Sequence, residues 1–152
     1  MPVCRDINQL TPPLATATTC FLELCKIHDL EVTIIETRRS QEVQDCYYLQ
    51  GRETLEVVNA AREKAGLYLL SEAENKKTVT NTRKSRHFNG EAVDIAPVKN
   101  KKVWWSAPQD VWENMGALAE RVGMDWCAGG YGQTWGKGWD NPHFELMGEK
   151  NV

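Results

Sequence analysis

A chain of 152 residues, 41% hydrophobic and 26% charged, fits one compact domain that can bury a core without disulfide or metal staples. Its formal net charge of -3 argues against a nucleic-acid binder, which neutralises phosphates with clustered Lys and Arg. No apolar run approaches the ~20 residues that span a bilayer, and Met1–Gln9 lacks a basic segment followed by an apolar one. The expectation is a protein made in the cytoplasm without a signal peptide and without stable membrane insertion.

In chain order, Asp6–Leu10 leads into Thr11-Pro12-Pro13, a helix entry, because a proline in the first turn gives up no intrahelical bond. Leu14–His28 reads as a helix with Leu14, Phe21, Leu22, Leu24, Cys25 and Ile27 on its buried stripe, although its threonines are weak helix formers. Glu31–Thr37 is rich in β-branched residues and reads as a strand, with Arg38 and Arg39 at its end. Ser40 caps a helix running to about Leu49 and ended by Gly51, and Thr54–Ala65 forms another, closed by Gly66. Asn75–Arg83 is polar and basic, an exposed loop or hairpin whose charges are solvated. Glu91–Ala96 alternates as a strand does. Pro97–Lys102 is read as a turn and Val103–Trp105 as a short returning strand. Pro108 opens a helix with Val111, Met115, Leu118, Ala119 and Val122 on one face, capped by Gly123. Gly129–Gly138 is a glycine-rich loop and His143–Met147 a final short strand. With no repeat, low-complexity tract or linker, the pattern predicts a single α+β domain over residues 1–152.

The five cysteines, Cys4, Cys20, Cys25, Cys46 and Cys127, are odd in number and contain no C-x-x-C pair. This argues against a disulfide framework and a zinc knuckle, and favours free, mostly buried thiols.

Chemistry concentrates around two of the three histidines. His87 is followed by Asp94, and His143 is preceded by Asp140 and followed by Glu145. A catalytic zinc takes three protein ligands, commonly imidazole and carboxylate, and keeps a fourth place for water or substrate. Alternation puts Ala92, Asp94 and Ala96 on one face, with small neighbours around the carboxylate, and Gly90 permits a turn that brings His87 toward Asp94. His143 would complete the set; for either histidine alone, an ordinary structural role is the alternative. His28, at a helix end, is read as structural. Asp140, held near His143 by Pro142, has the position of a general base, since metal binding brings water's pKa down to roughly 7 and a carboxylate can then accept its proton. The carbonyl oxygen under attack gathers negative charge, and Arg39 is the best-placed cation to meet it.

Ser85 to Asp94 carries the motif S-x-H-x-x-G-x-A-x-D, and Asp140-Asn141-Pro142-His143-Phe144-Glu145 forms a second motif. With Arg39-Ser40-Gln41-Glu42 and Tyr48-Leu49-Gln50-Gly51-Arg52, the chain resembles the zinc D-Ala-D-Ala peptidase family from about Asp6 to Leu146, and within it the L-alanyl-D-glutamate endopeptidase branch, which includes phage endolysins. The resemblance implies a small antiparallel sheet flanked by helices, as in the hedgehog/D-Ala-D-Ala peptidase fold, with no separate wall-binding module. It implies Zn2+ on His87, Asp94 and His143, Asp140 as catalytic base, and Arg39 polarising the scissile carbonyl. Relatives that trim D-Ala-D-Ala usually carry Glu where Asp140 stands, which favours the endopeptidase branch. Ser85 is read either as a substrate contact or as loop packing, Glu145 as an acceptor behind a metal-bound histidine or a solvent-facing acid, and Trp135 and Trp139 as core or cleft wall. Two departures stand out: Arg38 replaces the aromatic or small residue expected before Arg39, and Cys127-Ala128 stands where glycines are expected. The implied partner is the peptidoglycan stem peptide, cut by a monomer that reaches the wall after release from the host cytoplasm. A D,D-carboxypeptidase of the same fold and a non-catalytic zinc-bearing wall-binding module are the alternatives.

Overall fold

A mixed arrangement of helices around an antiparallel sheet is what the computed structural model shows for residues 3–79, 86–126 and 141–147, the residues it describes. A short 3-10 turn, Ile7–Gln9, is capped by the Asp6 carboxylate, which accepts from the Asn8 N–H at 2.9 Å. Helix α1 follows over Pro12–Ile27. Strand β1, Val32–Glu36, leads to α2, Gln41–Leu49, whose first turn is capped by Ser40 Oγ accepting from the Val43 N–H. Helix α3, Leu55–Ala65, starts at a Thr54 cap and ends at Gly66 in the left-handed region. A one-turn helix α4, Glu72–Asn75, is closed by a capping box between Ser71 and Glu74. A second 3-10 turn, Arg86–Asn89, precedes β2, Ala92–Lys99. Then come β3, Lys102–Val103, α5, Gln109–Arg121, β4, Met124–Trp126, and β5, His143–Leu146.

All strand pairs are antiparallel. The sheet runs β1-β2-β5-β4, and β3 pairs with the far end of β2. The main core lies between this sheet and helices α1 and α5. Leu14, Ala17, Phe21 and Cys25 form the buried side of α1, and Phe21 meets Phe144 of β5 with ring centroids 5.5 Å apart. Each such fully buried side chain contributes about 1.5–3 kcal/mol of transfer free energy. Trp112, Met115, Leu118 and Ala119 are the buried side of α5. Gly116 lets that helix come down onto β4, since a Cβ there would collide with the Trp126 indole. A smaller cluster, Val43, Cys46 and Leu67, fastens α2 to α3 and its following loop.

The α+β class and nearly all the expected elements are borne out, with four differences. The one-turn α4 was not expected, and its last residue, Asn75, is buried rather than part of an exposed loop. Ile27 is 74% exposed rather than on the buried stripe of α1, because it lies two residues past Cys25 and so points nearly opposite to it. Pro97 belongs to β2 rather than to a turn. On the side where the Ile95 N–H bonds the Pro142 carbonyl at 2.9 Å, the Pro97 carbonyl accepts from the Trp104 N–H at 2.8 Å, and the ladder there forgoes only the return donor that proline lacks. The reversal comes two residues later, at Asn100 and Lys101, both with positive φ. Strand β4 was not expected at all: three residues after a helix carry too little periodicity to be read. Cys25 and Cys46 are buried as expected, whereas Cys20 is exposed and Cys4 is half-buried; these four are free thiols, and burial pushes the Cys25 thiol up to about 12. No helix among the described residues is long and apolar enough to cross a membrane.

Gly90 fixes where the second 3-10 turn meets β2. Its φ is +71°, its carbonyl accepts from the Thr11 N–H at 3.0 Å, and a Cβ would run into the backbone of Gln9 and Leu10. Gly90→Ala is therefore expected to lose at least about 1–3 kcal/mol of unfolding free energy, read as a lower urea midpoint at unchanged slope.

Candidate metal centre

The centre is built where three chain segments meet at the open end of β2. Asp94 of β2 is directly opposite His143 of β5 in the ladder, so their side chains leave the same face within reach of each other. His87 arrives from the 3-10 turn before β2. His87 Nε2 lies 3.3 Å and His143 Nδ1 3.4 Å from Asp94 Oδ1, and the two rings stand edge to face at 5.2 Å between centroids. One ligating atom from each of His87, Asp94 and His143 falls within a set spanning no more than 4.8 Å.

The imidazoles are oriented from behind. His87 is almost fully buried, and its Nδ1 lies 2.7 Å from the carbonyl oxygen of Thr37, just past β1. That carbonyl can only accept, so Nδ1 carries the proton and Nε2 faces Asp94 with its lone pair. The Arg39 N–H donates to the His87 carbonyl at 3.1 Å, tying the same two segments together again. His143 Nε2 lies 2.8 Å from Glu145 Oε2, two residues along the same face of β5, which leaves Nδ1 to face Asp94. This is the arrangement in which a metal-bound histidine gives its other N–H to a carbonyl or carboxylate. Asp94 Oδ1 is buried and has no hydrogen-bond partner among the described residues. Burial alone would push the Asp94 carboxyl up, but the facing imidazoles of His87 and His143 outweigh it and hold it well below the usual carboxylate range. A buried anionic oxygen set between two oriented ring nitrogens suits a divalent cation that takes nitrogen and oxygen donors, as zinc does.

Arg39 also reaches this centre. Its Nη2 lies 3.8 Å from Asp94 Oδ2, its Nε and Nη2 donate to Glu36 Oε1 (Nε at 3.0 Å), and its Nη1 donates to Gln44 Oε1 at 2.6 Å. Its guanidinium also lies over the Tyr47 ring, 4.8 Å from the centroid. Burial, followed by the Glu36 carboxylate, pushes the Tyr47 phenol up to about 12, so this wall of the site stays neutral. The pairing of β1 with β2 explains why Glu36 is there. Ile34 is opposite Ile95 and Glu36 opposite Asp94, so one extra residue is accommodated in β1. The bulge turns Glu36, rather than Ile35, toward Asp94. Two carboxylates directly opposite each other repel, and the Arg39 guanidinium between them offsets that cost.

The structure thus brings His87, Asp94, His143 and Arg39 together. Glu145 is buried behind His143 rather than solvent-facing. His28 lies at the end of α1, with its Nε2 3.4 Å from Arg121 Nη1, remote from the centre. Asp140, Ser85, Trp135, Trp139 and the glycine-rich segment fall outside the described residues. Sequence reasoning missed Glu36, Gln44, the Thr37 carbonyl and the buried Asp125, which is opposite Glu145 between β4 and β5. Only Glu36 left a trace, as the one charged residue of β1; a main-chain acceptor leaves none.

The family model described as D-alanyl-D-alanine carboxypeptidase matches residues 78–146, just under half of the chain. The resemblance to the zinc D-Ala-D-Ala peptidase family holds. Among solved structures, the L-Ala D-Glu endopeptidase ChiX of Serratia marcescens is 20% identical with a TM-score of 0.56, over 92% of this chain and 82% of that one. The vancomycin resistance D,D-pentapeptidase VanY, in complex with Zn(II), is 13% identical with a TM-score of 0.55, over 93% and 74%. The LD-carboxypeptidase LdcB is 16% identical with a TM-score of 0.53, over 93% and 61%. These likenesses show a shared fold that houses both endopeptidases and carboxypeptidases. No curated protein matches the chain.

Removing Arg39 leaves the Glu36 and Asp94 carboxylates buried and opposed. Arg39→Met is expected to cost about 3–5 kcal/mol of stability by chemical denaturation, and Glu36→Gln in the same background is expected to recover part of that loss.

Proposed function

We propose that this protein is a zinc peptidase that hydrolyses the L-Ala–D-Glu bond of peptidoglycan stem peptides. The observation that carries the metal assignment is the convergence of His87 Nε2, Asp94 Oδ1 and His143 Nδ1, with the remaining nitrogen of each ring turned to Thr37 O or Glu145. The choice of bond is supported by Asp140 in place of Glu in the second motif, and by the likeness to an L-Ala D-Glu endopeptidase over nine-tenths of the chain.

Zinc held by His87, Asp94 and His143 would supply a Lewis acid and acidify water at the scissile carbonyl. The chain's own residues do the rest. The carboxylate of Asp140 takes the proton from the attacking water and later passes it to the leaving amine. Arg39 is locked by Glu36 and Gln44, which spend only part of its N–H donors, and it offers the remainder to the carbonyl oxygen as charge develops there. Thr37 and Glu145 fix the tautomers of the two histidines. The protein acts as a monomer. It is made in the cytoplasm and reaches the wall once the membrane is breached, in the manner of an endolysin.

Zinc-replete protein incubated with purified peptidoglycan is expected to release fragments cut between L-Ala and D-Glu, identified by mass spectrometry. Loss of terminal D-Ala instead would establish the carboxypeptidase named by the family match, and wall binding without cleavage would establish a binding module. Asp140→Ala is expected to abolish hydrolysis with zinc stoichiometry unchanged; retained turnover removes Asp140 as the base. Glu145→Gln is expected to weaken zinc binding about 10- to 100-fold, measured by competition with a chromogenic chelator.

A further inference from the structure

Beside the metal centre lies a cleft of about 650 Å³ whose lining includes Asp6, Gln9, Arg38, Arg39, Gln41 and Phe88. Arg39 belongs to both places, since it lines the cleft and its Nη2 lies 3.8 Å from Asp94. The two arginines differ in charge balance. Arg39 is neutralised by Glu36 and Asp94. Arg38 is exposed, and its guanidinium is held by neutral acceptors only: Nε donates to the Phe88 carbonyl at 3.2 Å and Nη1 to Gln9 Oε1 at 3.5 Å. No acid among the described residues pairs with it. The Asp6 carboxylate is turned to the Asn8 N–H, where it caps the first 3-10 turn. Among the described residues, the cleft therefore presents a guanidinium fixed by neutral acceptors and anchored on the residue that follows His87.

We propose that Arg38 is a specificity-determining residue that binds the free α-carboxylate of the D-Glu residue in the stem peptide, so that the enzyme distinguishes D-Glu from its α-amide, D-isoglutamine. This rests on the endopeptidase function proposed above. In the stem peptide D-Glu is extended through its γ-carboxyl, which leaves the α-carboxylate two bonds from the scissile nitrogen. A peptide whose L-Ala carbonyl lies against Arg39 and the metal-ligating cluster has that carboxylate as its nearest anion, and among the described residues of the cleft Arg38 is the cation held by neutral acceptors. Guanidinium matches carboxylate in charge and in planar donor geometry, whereas a carboxamide offers only one acceptor and no charge.

The test compares N-acetylated L-Ala-γ-D-Glu-L-Lys-D-Ala with two analogues, one amidated at the D-Glu α-carboxyl and one amidated at the C-terminus. Cleavage (kcat and KM) and binding by calorimetry are measured for the zinc-loaded wild type and for Arg38→Gln. The wild type is expected to favour the free D-Glu peptide over its α-amide by about 10- to 100-fold, the range of a hydrogen bond to a charged group. Arg38→Gln is expected to lose that preference through the acid peptide alone, with zinc content and circular dichroism unchanged. A wild type indifferent to α-amidation, an Arg38→Gln variant that keeps the preference, or a preference that follows the C-terminal carboxylate would each overturn the proposal. If zinc-loaded wild type binds the peptides and cleaves none, the endopeptidase reading fails by itself, and the binding preference and its loss in Arg38→Gln still decide the role of Arg38. Absence of both cleavage and binding overturns both.

Discussion

A carboxylate buried at the meeting point of three segments is the constraint around which this molecule is organised. Asp94 leaves β2 into a space closed by two imidazoles and a guanidinium, and a charge withdrawn from water must be met there or the fold loses several kcal/mol. The surrounding structure answers that demand. The register of β2 with β5 sets His143 opposite Asp94, the Gly90 turn returns His87, and the bulge in β1 delivers Glu36, which in turn holds Arg39. The helices contribute indirectly: α1 and α5 hold the sheet in shape, and α2 supplies Gln44 and Tyr47 as the outer wall around Arg39.

The orienting groups are of two kinds, and the difference has a physical meaning. His87 is fixed by a backbone carbonyl, which no side-chain substitution at Thr37 removes. His143 is fixed by a carboxylate, which adds negative charge behind the ring and raises its basicity as a ligand. One side of the centre is set by the path of the main chain and the other by electrostatics. The centre therefore combines a rigid element with one that chemistry can tune.

How much of this was legible in the sequence depended on the kind of information each feature carries. His87, Asp94 and His143 stood out because histidine is rare in the chain and each had an acid at telling distance, and Arg39 because it ended a recognisable strand. The bulge could not be read, since Val32–Glu36 alternates no differently with an extra residue than without one; only the partner strand reveals it. Pro97 misled because proline usually breaks strands, whereas here its carbonyl still accepts from Trp104 and only one donor is forgone. The Thr37 carbonyl is invisible to any reading of side chains. Asp125, in a strand of three residues, offered no period to detect.

The sheet order also governs when the centre comes into being. Strand β5 lies between β2 and β4 rather than at an edge, and it carries His143. During synthesis β1, β2, α5 and β4 are made before β5, so a chain that has not reached β5 can bring His87 but not His143 to Asp94, and its sheet has a gap at its middle. The pairing that completes the sheet is also the pairing that brings the second imidazole to Asp94. Closing it demands contact between residues far apart in the chain, the slow kind of folding step. A centre built this way has no half-formed state while the chain is being made, and it is completed in the same event that seals the core.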